Sequence, residues 1–187
     1  MSDKTRTERA YEALERLPPN VVGEIIDGEL YVTPHPGTVH VRTAGQVARA
    51  LWPFDEEPEQ EGPGGWVLLP KTELHLGGDV LVPDLVGWRR ERMPEIPDVV
   101  GVELTPDWLC EVLSPSTEHL DRTLKLAVYA REGVKHLWLV DPRPQTLEVY
   151  RLEGSRWVLL GTHPGNGPVR AEPFEAIPIE LAALWER

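Results

Sequence analysis

The stretch Asp107–Lys125, DWLCEVLSPSTEHLDRTLK, decides how the rest of the chain is read. It sets one carboxylate, Glu111, inside an apolar run of Trp108, Leu109, Cys110, Val112 and Leu113, turns at Ser114-Pro115, and opens a helix carrying Asp121 and Lys125. An ionised group among such neighbours is costly unless it is paired, protonated or bound to a cation. Glu111 therefore needs a partner. The best candidate is Asp84, in the run VLVPDLVGW, where an acid again interrupts residues of high strand propensity. Two acids on neighbouring strands suggest a site for a divalent cation.

Working outward, Ser116 or Thr117 can cap the following helix, whose apolar stripe is Leu120, Leu124, Ala127 and Val128 and whose end is Gly133. Val134 to Val140 is almost continuously apolar, as expected of a strand covered on both faces. A strand, helix, strand unit of this length implies a right-handed parallel crossover. Upstream, Trp66 to Leu76 and Val80 to Trp88 flank Gly77-Gly78 and are expected to pair as a hairpin. VVGEIIDGELYV is a second hairpin, because both residues of Asp27-Gly28 tolerate positive φ. Thr5 to Leu17 has helical spacing of Tyr11, Leu14 and Leu17 and stops at Pro18-Pro19. From Thr38, the positions Val41, Ala44, Ala48 and Leu51 predict a helix ended by Pro53, with Arg42, Gln46 and Arg49 on its other face. Pro53 to Gly65 is acidic and rich in Pro and Gly, which predicts a mobile loop rather than a site. Arg89 to Pro106 is a second irregular stretch. Thr146 to Leu152 and Trp157 to Leu160 form a further hairpin, and Ile179 to Trp185 a short helix.

The 187 residues suffice for one domain with a full core, so a single domain over 1–187 is expected, an α/β fold with a mixed sheet flanked by helices and with N-terminal and C-terminal hairpins. The net charge of −12 repels nucleic acid on average, so a polyanion would have to be held locally, by a basic patch or a bound metal. That argues against a nonspecific DNA coat. One cysteine, no membrane-length apolar run and no basic-then-apolar leader predict a cytoplasmic protein without a membrane partner, with Cys110 a core residue. Nineteen Pro with few Asn, Gln and Cys lean toward a thermophilic source.

The order helix, strand, strand, strand, helix, strand, with acids in two of the strands, resembles the PD-(D/E)XK nuclease superfamily. Pro83-Asp84 is the PD element and Glu111-Val112-Leu113 the (D/E)-X-K element. The longer run from Glu24-Ile25-Ile26-Asp27-Gly28-Glu29, through Pro83-Asp84 and Glu111-Val112-Leu113-Ser114-Pro115-Ser116-Thr117, to Tyr129 and Gly133-Val134 is similar to the branch catalogued as putative restriction endonucleases. This resemblance implies a Mg²⁺-dependent (or Mn²⁺-dependent) endonuclease acting on DNA, and it leaves a homodimer open. It implies Asp84, Glu111 and the Val112 carbonyl as metal ligands, and Glu24 as a further acid. It also implies a lysine that positions or activates water, yet Leu113 stands at the usual lysine position. Lys125 is the best substitute, since the lysine migrates to that helix in related proteins; Lys135 is its competitor, and His40 a further candidate member.

Plainer readings exist for each residue. Asp84 can cap a strand end, Glu24 can be a solvated hairpin residue, and His40 can cap or pack its helix. Lys125 follows Asp121 by four and can form an ordinary helix-surface pair; under the catalytic reading, Lys125→Met is expected to abolish turnover yet leave folding and metal binding nearly unchanged. His35, His75, His119, His136 and His163 have no zinc spacing, and neither a P-loop nor a GxSxG motif is present. The acidity and Leu113 keep a catalytically degenerate nuclease fold, serving as a binding or interaction module, as the alternative. A metal-dependent hydrolase of small phosphoesters is a third reading.

Overall fold

A computed structural model of the chain describes residues 5–55 and 62–187. Its elements begin with helix α1 (Arg6–Glu15), strands β1 (Val21–Ile26) and β2 (Glu29–Pro34) and helix α2 (Thr38–Asp55). Strands β3 (Trp66–Pro70), β4 (Glu73–Leu76), β5 (Asp79–Leu81), β6 (Leu85–Arg89), β7 (Gly101–Val102) and β8 (Trp108–Val112) follow. Helix α3 (Glu118–Leu120), a π-helical turn (Asp121–Lys125) and helix α4 (Leu126–Arg131) then run without a break. The chain closes with β9 (His136–Asp141), β10 (Thr146–Glu153), β11 (Arg156–Pro164), β12 (Pro168–Val169), β13 (Ile179–Glu180) and helix α5 (Leu181–Leu184).

Two mixed sheets carry the architecture, one ordered β11-β10-β9-β8-β6-β3 and the other β2-β1-β5-β4-β7. The parallel pairing of β8 with β9 across the intervening helix is the crossover expected from the sequence. Both arms of the expected hairpin around Gly77-Gly78 do pair, but each arm is broken and shared between the sheets. Its tip, β4 with β5, belongs to the five-stranded sheet, while its base, β3 with β6, belongs to the six-stranded one. The breaks fall at Lys71-Thr72 and at Val82-Pro83-Asp84, where Pro83 has no N–H to give to a ladder. Asp84 thus sits at the joint between the two sheets.

Period-two alternation along β8 sorts its side chains to two faces. Trp108, Cys110 and Val112 pack with Val47, Leu51 and Phe54 of α2, whereas Leu109 and the following Leu113 pack with Val128 and Tyr129 on the α4 side. The α2-side core centres on Phe174, whose ring meets Phe54, Trp66, Trp108 and Trp138 at centroid distances of 4.9, 4.8, 5.0 and 5.5 Å. Helix α1 covers the five-stranded sheet through Ala10, Tyr11 and Leu14 on Ile25, Leu30 and Val80. Its start is fixed by a capping box in which Thr5 and Glu8 satisfy each other's backbone N–H. Asp27 and Gly28 have φ of 51° and 77°, as the tight β1–β2 turn requires.

Three helix expectations change. Helix α2 buries His40, Thr43, Gln46, Val47, Leu51 and Phe54 and leaves Val41 exposed, so its inward face is rotated from the one read off the apolar spacing. Pro53 lies inside it rather than at its end, and the Pro53 carbonyl, in the last turn, accepts the N–H of Gly64 at 3.1 Å. The expected loop beyond it falls largely on residues 56–61, outside the described residues. In the helix after Pro115 the buried positions are Asp121, Lys125, Val128 and Tyr129, while Leu124 and Ala127 are exposed. The π turn widens the helix there and turns two charged residues, not the leucine, inward. Thr117 makes no capping bond to this helix. The short helix expected from Ile179 is a two-residue strand followed by α5. No helix among the described residues is long and apolar enough to cross a membrane.

Candidate active site

At the end of β8 the antiparallel register with β6 pairs Leu85 with Cys110, and one further step sets Asp84 opposite Glu111. Asp84 completes the ladder with its side chain, accepting the Val112 N–H at Oδ2 (2.7 Å). Its Oδ1 meets His40 Nε2 at 2.7 Å, and Lys71 Nζ makes an ion pair with the same oxygen. Lys71 occupies the left-handed region (φ 46°) at the break between β3 and β4, and its backbone N–H donates to the Asp84 carbonyl at 3.1 Å.

Glu111, on the α4 side of the sheet, accepts the Tyr129 hydroxyl at 2.6 Å and lies 2.8 Å from Lys125 Nζ, both at Oε1. Lys125 Nζ also lies 3.0 Å from Glu24 Oε1 and 3.1 Å from Asp121 Oδ1. Glu24 Oε1 in turn accepts the Val82 N–H at 2.8 Å. The expected choice for Lys125, between a surface pair with Asp121 and a place in the cleft, resolves into both contacts at once, with Lys125 buried at 3% side-chain exposure. These groups line a narrow cleft of about 40 Å³, together with Ser114, Ser116 and Thr117. Ser114 Oγ lies 3.0 Å from both the Ser116 and Thr117 hydroxyls.

The electrostatics divide the two central acids. Burial acts to raise Asp84, but the hydrogen bond and charge of His40 and the ammonium of Lys71 outweigh it and lower its pKa to about 2. Burial also raises Glu111; here Lys125 opposes, Asp121, Asp84 and Glu24 add to the rise, and the carboxyl is pushed up to about 8. Burial raises Asp121 in the same sense, against the pull of Lys125. Burial works against the Lys125 ammonium, yet Glu111 and Glu24 hold it well above the ordinary lysine value. Four acids thus face two lysines and His40 in a largely buried cleft, and with Glu111 keeping its proton up to about pH 8 the ionised acids exceed the lysines by at most one.

Asp84, Glu111, Val112, Lys125, Glu24 and His40 are therefore brought to one place. Lys135 is not: it is exposed and precedes His136, which pairs with Trp108 at the opposite end of β8. Leu113 is buried in the core, its N–H bonded to the Val140 carbonyl at 2.8 Å. Sequence reading missed Lys71 and gave Tyr129 no contact. Lys71 was hidden because Trp66 to Leu76 reads as one strand; Pro70-Lys71-Thr72, a break in its apolar run, was the available signal. Burial of Cys110, with Asp84 and Glu111 nearby, raises its thiol well above the usual value and leaves it an inert core residue.

This α/β domain of mixed sheets flanked by helices, with buried acids at the ends of adjacent strands, has a nuclease-like fold. The chain is similar in structure to the crystal structure of a putative nuclease belonging to DUF820 from Anabaena variabilis, with a TM-score of 0.73 at 20% identity, covering 94% of this chain and 96% of that one. The chain belongs to the Uma2 family, described as "Putative restriction endonuclease", whose profile matches residues 9–183. No curated protein matches it.

Proposed function

We propose that this chain is a Mg²⁺-dependent DNA endonuclease that hydrolyses phosphodiester bonds at the Asp84–Glu111 cleft. The observation that carries the reading is the pair of buried acids on adjacent strands, each already held against an ammonium group. Oxygen donors suit a hard cation. In an extended strand the N–H and C=O of one residue point to the same side, so the Val112 carbonyl faces Asp84 as its N–H does. Asp84, Glu111 and that carbonyl would hold the ion. Among the described residues no three His, Cys, Asp or Glu side chains form a ready-made cage. Mg²⁺ is commonly held by one or two carboxylates, with water and substrate phosphate completing its shell. The bound ion would polarise the phosphate and lower the pKa of a water.

The chain's own groups supply the rest. Lys125 takes the part of the absent motif lysine: its ammonium holds Glu111, Glu24 and Asp121, and the N–H that Glu111 would give up on taking the ion would be free to orient the attacking water. Tyr129 fixes Glu111 from the other side. The hydroxyls of Ser114, Ser116 and Thr117 are neutral donors suited to phosphate oxygens. The buried Leu113 favours the degenerate-module reading, and one experiment separates the two. Calorimetric titration with Mn²⁺ should give binding that Asp84→Asn and Glu111→Gln each weaken, and Mg²⁺-dependent cleavage of plasmid DNA should vanish in both. Metal binding without cleavage of any nucleic acid would establish the module instead; turnover of bis(p-nitrophenyl) phosphate but not DNA would establish the small-phosphoester hydrolase.

A further inference from the structure

Two lysines line the cleft, and their situations differ. Lys125 is enclosed, with its ammonium shared among three carboxylates and its side chain 3% exposed. Lys71 reaches the cleft from the joint between the sheets, pairs with a single carboxylate, and leaves 45% of its side chain in solvent. Its backbone holds a left-handed conformation that side-chain-bearing residues disfavour. Such a conformation persists only where the surroundings impose it, and here the Lys71 N–H is bound to the Asp84 carbonyl. The Asp84 oxygen that Lys71 occupies already accepts from His40, so it has little room for another positive partner.

We infer that Lys71 is a resident counter-cation of Asp84 that yields its place to the divalent ion and transfers its ammonium to a non-bridging oxygen of the substrate phosphate. The inference rests on the nuclease reading above and deepens it by assigning the residue that touches the phosphate. An ammonium and a divalent cation cannot both sit against one carboxylate oxygen without strong repulsion. The displaced group has a flexible four-carbon stem and an open path to solvent, which the enclosed Lys125 lacks. The phosphate is then met by Lys71 from the sheet joint and by the hydroxyls of Ser114, Ser116 and Thr117, which line the same cleft. Lys125 stays on the water side and Lys71 serves the phosphate side.

The two halves have opposite signs on mutation. In Lys71→Met, Mn²⁺ titrated without nucleic acid should bind roughly two- to fivefold more tightly, the equivalent of losing a half-exposed ion pair that competes for the site. The same variant should bind a duplex oligonucleotide more weakly in Ca²⁺ by fluorescence anisotropy, and cleave it about tenfold or more slowly in Mg²⁺. Lys71→Arg should recover the oligonucleotide affinity. Lys71→Gly, which accepts the left-handed backbone without strain, repeats the test should the methionine variant fold poorly. Unchanged or weaker Mn²⁺ binding in both variants, or undiminished oligonucleotide binding, overturns the inference while leaving the nuclease reading intact. If the parent binds Mn²⁺ but cleaves nothing, the nuclease reading fails, and the Mn²⁺ and anisotropy measurements still decide whether Lys71 moves. Absence of Mn²⁺ binding in parent and variants alike overturns the metal site and the displacement together.

Discussion

Replacing Lys125 by Met removes one positive charge and keeps the stem and the helix propensity. From sequence spacing alone this change should be nearly silent for folding, because an exposed pair with Asp121 contributes at most about 0.5 kcal/mol. The structure reverses that expectation. The Lys125 ammonium lies 2.8, 3.0 and 3.1 Å from Glu111, Glu24 and Asp121, all of them buried. Removing one partner from a buried ionic cluster typically costs about 3–5 kcal/mol. For a chain of this size that corresponds to a fall of roughly 6–20 °C in Tm. The deficit should depend on pH with a definite sign. Glu111 is raised from 4.5 to about 8 with the lysine present, and losing the lysine pushes it higher. A carboxyl raised in the folded state contributes stability that is fully present below its unfolded value and lost as pH climbs through the folded one. The variant's deficit should therefore be smaller at about pH 6, where Glu111 keeps its proton in both folded proteins, and grow as pH climbs through about 8 to about 9, where the parent's carboxyl ionises beside the ammonium and the variant's has no such partner. Urea denaturation of parent and variant at both pH values measures it. Stability within about 0.5 kcal/mol of the parent at the higher pH, or a deficit that grows on acidification, would refute the cluster as the source.

Asp84 behaves oppositely, since its folded pKa is lowered from 3.8 to about 2. Its stabilising contribution is present above the unfolded value and disappears as pH falls toward about 2, so Asp84→Asn should flatten the acid limb of a circular-dichroism titration in that window. In the α2-side core, Phe174→Ala removes a ring that touches four aromatic neighbours and should cost about 3–5 kcal/mol in denaturant unfolding without altering Mn²⁺ affinity.

Much of this arrangement was legible in the sequence because local rules and tertiary structure agree. Asp27-Gly28 makes the turn its φ preferences demand, and the strand register sets Asp84 opposite Glu111, although the groups that touch Glu111 are Lys125 and Tyr129 of the following helix. What was not legible came from contacts across long separations. The inward face of α2 is set by where it meets β8 and Asp84, which selects His40 and Thr43 over the apolar Val41. The π turn has no signature in residue spacing; it follows from burying Lys125 against acids contributed by β1, β8 and the helix itself. Lys71 stayed hidden because splitting one hairpin between two sheets depends on both sheets being present.

Lys125 also joins the two halves of the architecture, since Glu24 belongs to β1 of the five-stranded sheet and Glu111 to β8 of the six-stranded one. Peeling the first sheet from the second would strand one or more of these charges in apolar surroundings, so neither sheet can act as a separate cooperative unit. Amide protons of β1 and β8 should therefore exchange through a shared opening close to global unfolding. The proposed site is then among the last regions to fray, and fluctuations that would admit a substrate must come from the rim around Lys71 and Ser116 rather than from parting of the sheets.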